Sequence, residues 1–125
     1  MISGKNQIGD ELSSNSNISF QTFNPKLNIE NKITFFEASD SEILKATKLA
    51  SNAFRTFKLV AANERSAFLT QISEELKLIS KDITKTYCSE TGLPEARCLG
   101  ELGRTINQLI SLSLIHISEP TRPLI

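Results

Sequence analysis

The chain has 125 residues, 39% of them apolar and 22% charged, which suits one domain with an ordinary core. Fourteen Lys plus Arg balance fourteen Asp plus Glu, so no basic excess points to nucleic acid or an anionic membrane. No apolar run approaches the roughly 20 residues of a membrane span, and the N-terminus lacks the apolar stretch of a signal peptide, so a cytoplasmic chain is expected.

Residues 1–38 read as short antiparallel strands and turns. Ile2-Ser3 and Gln7-Ile8 flank Gly4-Lys5-Asn6, which has the composition of a tight turn. Ser13 to Asn17 is a polar loop. Ile18, Phe20 and Thr22 alternate with Ser19, Gln21 and Phe23 at the period of a strand. Asn24-Pro25 ends it, because proline has no N–H for a ladder and asparagine favours turns. Lys32-Ile33-Thr34-Phe35-Phe36 is β-branched and aromatic and reads as a further strand.

At Ser39 the period lengthens from two to about 3.6. Residues 39–110 read as four helices. Ser39 with Glu42 has capping-box spacing, which would satisfy free N–H groups at a helix start. Ile43, Ala46, Ala50, Ala53, Phe54 and Phe57 then share a face. Asn63 reads as the cap of a second helix with an apolar stripe of Ala67, Phe68, Leu69, Ile72, Leu76 and Ile79. Ser80 reads as the start of a short third helix through Ile83 and Tyr87. Gly92 supplies a stop, since glycine reaches positive φ without a Cβ clash, and Pro94 suits the opening turn of a fourth. That helix places Ala96, Leu99, Leu102 or Gly103, Ile106 and Leu109 on one side. The fold class is α+β, with no alternation of strand and helix to build a parallel sheet within these residues.

The pattern fades after Ile110. Residues 111–125 are Ser-rich and then broken by Pro120 and Pro123. They resemble the adaptor-derived string found at the ends of unrelated conceptual translations, and the expectation is a non-native tail.

The chemically suggestive residues form no constellation. His116 is the single histidine and has no Cys, Asp or second His at metal-ligand spacing. Cys88 and Cys98 read as free, packed thiols rather than nucleophiles, since no histidine accompanies them. Gly92, Gly100 and Gly103 do not match a G-x-G-x-x-G loop, and no strand precedes them. Gly100 and Gly103 suit close helix packing instead. Glu74, Glu75 and Glu101 read as solvated surface, paired with Lys77 or Arg104. No catalytic, cofactor-binding or metal residue is assigned.

Glu90-Thr91-Gly92-Leu93-Pro94-Glu95-Ala96-Arg97, followed by Gly100-Glu101, Gly103-Arg104-Thr105 and Gln108-Leu109, resembles the early helical region of an aldehyde dehydrogenase. Ile2 to Asn6, Phe23-Asn24-Pro25, Ser39 to Phe57 and Glu64-Arg65 with Phe68-Leu69 resemble earlier elements of that family, in order. The likeness covers residues 1–109 and is greatest to the subgroup acting on 2,5-dioxovalerate (α-ketoglutaric semialdehyde). It implies an α/β parent enzyme that oxidises an aldehyde with NAD or NADP, through an active-site cysteine and a glutamate. It also implies a small aldehyde substrate and a homo-oligomer. The family's catalytic and cofactor residues lie C-terminal to the matched region, and none maps onto this chain. The resemblance therefore implies an inactive N-terminal portion, 1–110, of the larger enzyme. The other reading of the residues is a stand-alone helical interaction module.

Overall fold

The computed structural model describes residues 2–118, with side chains through Ile115. Among the described residues it contains four strands followed by four helices, the α+β order expected. The chain divides into two compact units, 1–59 with 89–92, and 60–88 with 93–125.

In the first unit, β1 (Asn6–Ile8) pairs antiparallel with β2 (Glu11–Ser13), and β3 (Ser19–Asn24) with β4 (Ile29–Phe36). The first hairpin turns at Gly9-Asp10, with Gly9 at φ 59°, and not at Gly4 to Asn6 as the sequence suggests. Gly4, at φ 71°, meets β4 instead: an added Cβ would lie 1.9 Å from the Thr34 carbonyl oxygen. The Gly4 carbonyl accepts the Phe36 N–H at 3.3 Å. Two glycines five residues apart both suit a turn, and contact with distant Thr34 decides between them.

The β3–β4 turn forms where Asn24-Pro25 predicts it. Asn24 is buried, and its Oδ1 accepts the backbone N–H groups of Lys26 and Leu27 at 3.1 Å each. The register slips between Gln21 and Phe23. There the Asn31 amide donates to Thr22 Oγ1 and to the Ser89 carbonyl, both at 3.0 Å, so the ladder irregularity is bridged by side chains. Phe20 stacks on Phe35 with centroids 5.6 Å apart. The helix α1 (Asp40–Phe57) begins at the expected capping box, with both of its reciprocal bonds present. Its apolar residues Ile43, Leu44 and Phe54 are exposed.

The second unit holds α2 (Ala62–Leu78), most of α3 (Ser80–Thr91) and α4 (Glu95–Ser118), with α2 packed on α4. The cap of α2 is Ala61, not Asn63: the Ala61 carbonyl takes the N–H groups of Glu64 and Arg65. Arg65 also donates to the Val60 carbonyl, fixing the entry to the helix. Asn63 lies inside the first turn and accepts from the adjacent Glu64 N–H. Gly92, at φ 70°, stops α3, and Pro94 precedes α4 by one residue, with its carbonyl accepting the Arg97 N–H at 3.0 Å. Helix α4 runs past the expected fade at Ile110 to Ser118, and Ser113 is buried. The reading of 119–125 as part of a non-native tail falls outside the described residues.

The helices of this unit bury small residues and expose large ones. Ser66, Ser73, Thr84, Cys98 and Ser113 are buried, with Ser73 at 0% and Cys98 at 1% exposure. Leu69, Ile72 and Leu76 of α2 and Leu102, Ile106 and Leu109 of α4 are half-buried beside them. Ala67, Phe68, Ile79, Ala96 and Leu99, expected on the packed stripes, are exposed, and Leu78 is 77% exposed. Ser73, Thr84 and Ser113 tolerate burial because their hydroxyls bond within their own helices. Ser73 donates to Thr70 O at 2.7 Å, Thr84 to Ser80 O at 2.8 Å and Ser113 to Ile110 O at 2.6 Å.

Candidate functional site

The groove of interest lies in the first unit, between the β1–β2 hairpin and the start of α1. It encloses about 420 Å³ and is lined by Ile8, Glu11, Leu12, Ser13, Ser14, Asn15, Ser41, Glu42 and Lys45. Glu42 is its chemical centre. A carboxylate only 3% exposed needs donors on both oxygens, and the chain supplies them from three places. Oε1 accepts the Ser39 hydroxyl at 2.9 Å and the backbone N–H groups of Ser39 and Asn15 at 3.3 Å each. Oε2 accepts the Asn6 amide at 3.4 Å. The same Asn6 nitrogen lies 3.3 Å from the Phe36 carbonyl.

Burial pushes the Glu42 carboxyl up, but hydrogen bonds from the Ser13 hydroxyl, the Ser39 backbone and hydroxyl, and Asn6 outweigh it. The group sits below its ordinary value. At the groove rim, Lys45 pairs with Glu11 at 2.5 Å, and its hydrogen bond and charge hold the Glu11 carboxyl down as well. Both groove carboxylates are thus held ionised. A general base needs a raised pKa and a free lone pair aimed at substrate. Glu42 has a lowered pKa and accepts at both oxygens, the profile of a structural carboxylate.

The residues singled out in the sequence do not converge. Cys88 and Cys98 are both free thiols, as expected, Cys88 half-buried and Cys98 buried. Cys98 Sγ donates to Thr84 Oγ1 at 3.7 Å, a packing role between α4 and α3. Glu74 pairs with Lys77 at 2.8 Å, and Glu75 accepts from Gln71 at 2.8 Å. Glu101 lies 3.7 Å from Arg97 and 3.6 Å from Arg104 on an open helix face. Such exposed pairs contribute about 0.2–1 kcal/mol each. Among the described residues Gly100 and Gly103 do not serve helix packing, because a Cβ on either would meet nothing within 4 Å. The His116 reading falls outside the described side chains. Among the described residues no group of three or more His, Cys, Asp or Glu is placed to hold a metal ion, and no helix is long and apolar enough to cross a membrane.

Sequence reasoning found the Ser39–Glu42 box but missed its extension to Asn6, Ser13 and Asn15. Those partners lie 27 to 36 residues from Glu42 where bonds to Asn15 and Asn6 are concerned, and no local pattern reports them.

Residues 12–113 match the model of the aldehyde dehydrogenase family. The chain is 32% identical over 109 residues to the alpha-ketoglutaric semialdehyde dehydrogenase 2 of Azospirillum brasilense, covering 86% of this chain and 21% of that relative. It is 31% identical over 75 residues to the alpha-ketoglutaric semialdehyde dehydrogenase of Acinetobacter baylyi, covering 60% of this chain and 14% of that relative. The chain thus spans about a fifth or less of the length of these curated relatives. No solved structure matches it.

Proposed function

The chain belongs to the aldehyde dehydrogenase family, and from that premise we propose that it is the N-terminal portion of an NAD(P)-dependent enzyme that oxidises an aldehyde to a carboxylic acid. The proposed substrate is 2,5-dioxovalerate, the product 2-oxoglutarate. The observation that carries this reading is the match to two relatives named for α-ketoglutaric semialdehyde, over residues that contain the ordered strand, capping-box and Gly92-Leu93-Pro94 elements. The parent enzyme is proposed to be a cytoplasmic homo-oligomer. Residues 111–125 are proposed to be foreign to it.

Within this reading the 125 residues contribute scaffold rather than chemistry. The groove carboxylates are ionised and engaged, and the buried thiol of Cys98 faces a hydroxyl rather than a base. The purified chain is therefore expected to reduce neither NAD nor NADP when given 2,5-dioxovalerate, read as absorbance at 340 nm. The polypeptide encoded when the source DNA is followed past the codon for Leu109 is expected to do so. Reduced cofactor from the 125 residues alone would sink the scaffold assignment. A natural stop near that codon would sink the larger-enzyme reading.

The exposed apolar residues bear on the alternative of a stand-alone interaction module. Phe68 and Leu78 of α2, Ile79 just after it, and Leu99 and Leu112 of α4 are exposed in the chain by itself. Large apolar side chains left open in this number favour association of the chain by itself. Light scattering of the isolated chain is expected to show association at micromolar concentration. A monomer with a sharp thermal transition would favour the module.

A further inference from the structure

We propose that the β1–β2 hairpin is a charge-held flap, pinned to α1 by the negative charge of Glu42 and able to detach while the rest of its unit stays folded. The hairpin has little apolar attachment: Ile8 is its buried hydrophobe, whereas Leu12 is exposed. Its ties are polar. Asn6 in β1 and Asn15 after β2 donate to opposite oxygens of Glu42, and the Ser13 hydroxyl adds a third bond. Asn6 also lies 3.3 Å from the Phe36 carbonyl, and Lys45 with Glu11 adds an ion pair exposed on both sides.

Asn6, Ser13 and Asn15 converge on one anion. Neutralising the carboxylate removes the charge that makes such bonds strong and leaves the Asn and backbone N–H groups opposite a weaker acceptor. The reciprocal cap from Glu42 to the Ser39 N–H weakens with it, so the flap and the first turn of α1 loosen together. The β3–β4 ladder depends on none of these bonds. It has its own backbone pairing, the Phe20–Phe35 stack and the Asn31 bridge.

The other charged groups about this site are Lys5 before β1, Glu11 in β2, Glu37 after β4, and Asp40 and Lys45 on α1. Of these, Glu11 shares the lowered direction. A carboxyl whose folded pKa is depressed stabilises above its unfolded value and loses that contribution as pH falls through the folded value. Release is therefore expected below the ordinary glutamate value of about 4.3, while neutral solution keeps the flap shut.

Amide hydrogen exchange by mass spectrometry on the dilute full 125-residue chain tests this. Glu42→Gln keeps the shape and removes the charge. Protection in peptides covering 6–15 and 39–43 is expected to fall at least about tenfold, with peptides covering 19–36 changed less than about twofold. Unaltered chain taken from pH 7 to pH 3.5, with rates corrected for intrinsic exchange, is expected to lose protection in the same order. Lys45→Met, which removes the rim pair alone, is expected to have a minor effect. Equal loss across 6–36 in either experiment, or retained protection of 6–15 in Glu42→Gln, would overturn the proposal. Uniform rapid exchange at pH 7 would overturn it too.

Discussion

Gly4→Ala is expected to collapse the strand pairing of the first unit, at a cost of about 3 kcal/mol or more. Two effects add. The residue holds φ 71°, a conformation that penalises any Cβ by about 1–2 kcal/mol. The new Cβ would also sit 1.9 Å from the Thr34 carbonyl oxygen and 2.8 Å from its carbon, both backbone atoms with no rotamer to yield. Relief requires β4 to move away, which breaks the Phe36 N–H to Gly4 bond and disturbs the Asn6 contact with the Phe36 carbonyl. In a unit of this size, the melting temperature would fall by about 12 °C or more. Gly100→Ala is the matched control. Gly100 is exposed in mid-helix with nothing within 4 Å of an added Cβ, so helix propensity alone acts and stability rises by about 1 kcal/mol. Melts followed by circular dichroism, with the two changes moving in the same direction, would refute the contrast.

Ser73→Leu is expected to destabilise the helical unit by about 1–3 kcal/mol, although it adds an apolar residue to a buried site. Ser73 is fully enclosed where α2 meets α4, its hydroxyl bonded to the Thr70 carbonyl. Three extra carbons there force the helices apart or push leucine off its rotamers. Leu78→Ser, at 77% exposure, is expected to change stability by less than about 0.5 kcal/mol and to reduce association. The usual substitution rule is thus reversed along one helix. Urea midpoints measured on both variants decide the matter, and a tolerated leucine at position 73 would mean that α2 and α4 are not closely packed.

That reversal also explains what the sequence left hidden. Local devices were legible: the Ser39–Glu42 box, the Asn24-Pro25 turn and the Gly92 stop each need only neighbours within a few residues, and each stands where the pattern puts it. The choice of helix face was not. Periodicity shows that α2 has an apolar side through Phe68, Leu69 and Leu76, but Ser66 and Ser73 are what the chain buries. A serine enters a helix contact when its hydroxyl is already bonded to its own helix, a condition that depends on the partner's shape rather than on hydropathy. The groove around Glu42 was half legible for a similar reason. Its capping partner is three residues away, whereas Asn6 is 36 away. The first turn, read at Gly4 to Asn6, stands at Gly9-Asp10, and the contact of Gly4 with distant Thr34 is what local composition does not report.

The return of Ser89–Gly92 to the first unit has a consequence for synthesis. Asn31 finds its acceptor on Ser89, 58 residues later, and Gly92 sits where a Cβ would lie 2.9 Å from Pro25. At translation rates of about 5–20 residues per second, the β3–β4 ribbon waits several seconds on the ribosome before that closing segment exists. During the wait the Asn31 amide lacks its Ser89 acceptor and Pro25 lacks its neighbour Gly92. The side-chain bridge over the β3–β4 irregularity is therefore completed late, an order of assembly set by where the chain doubles back.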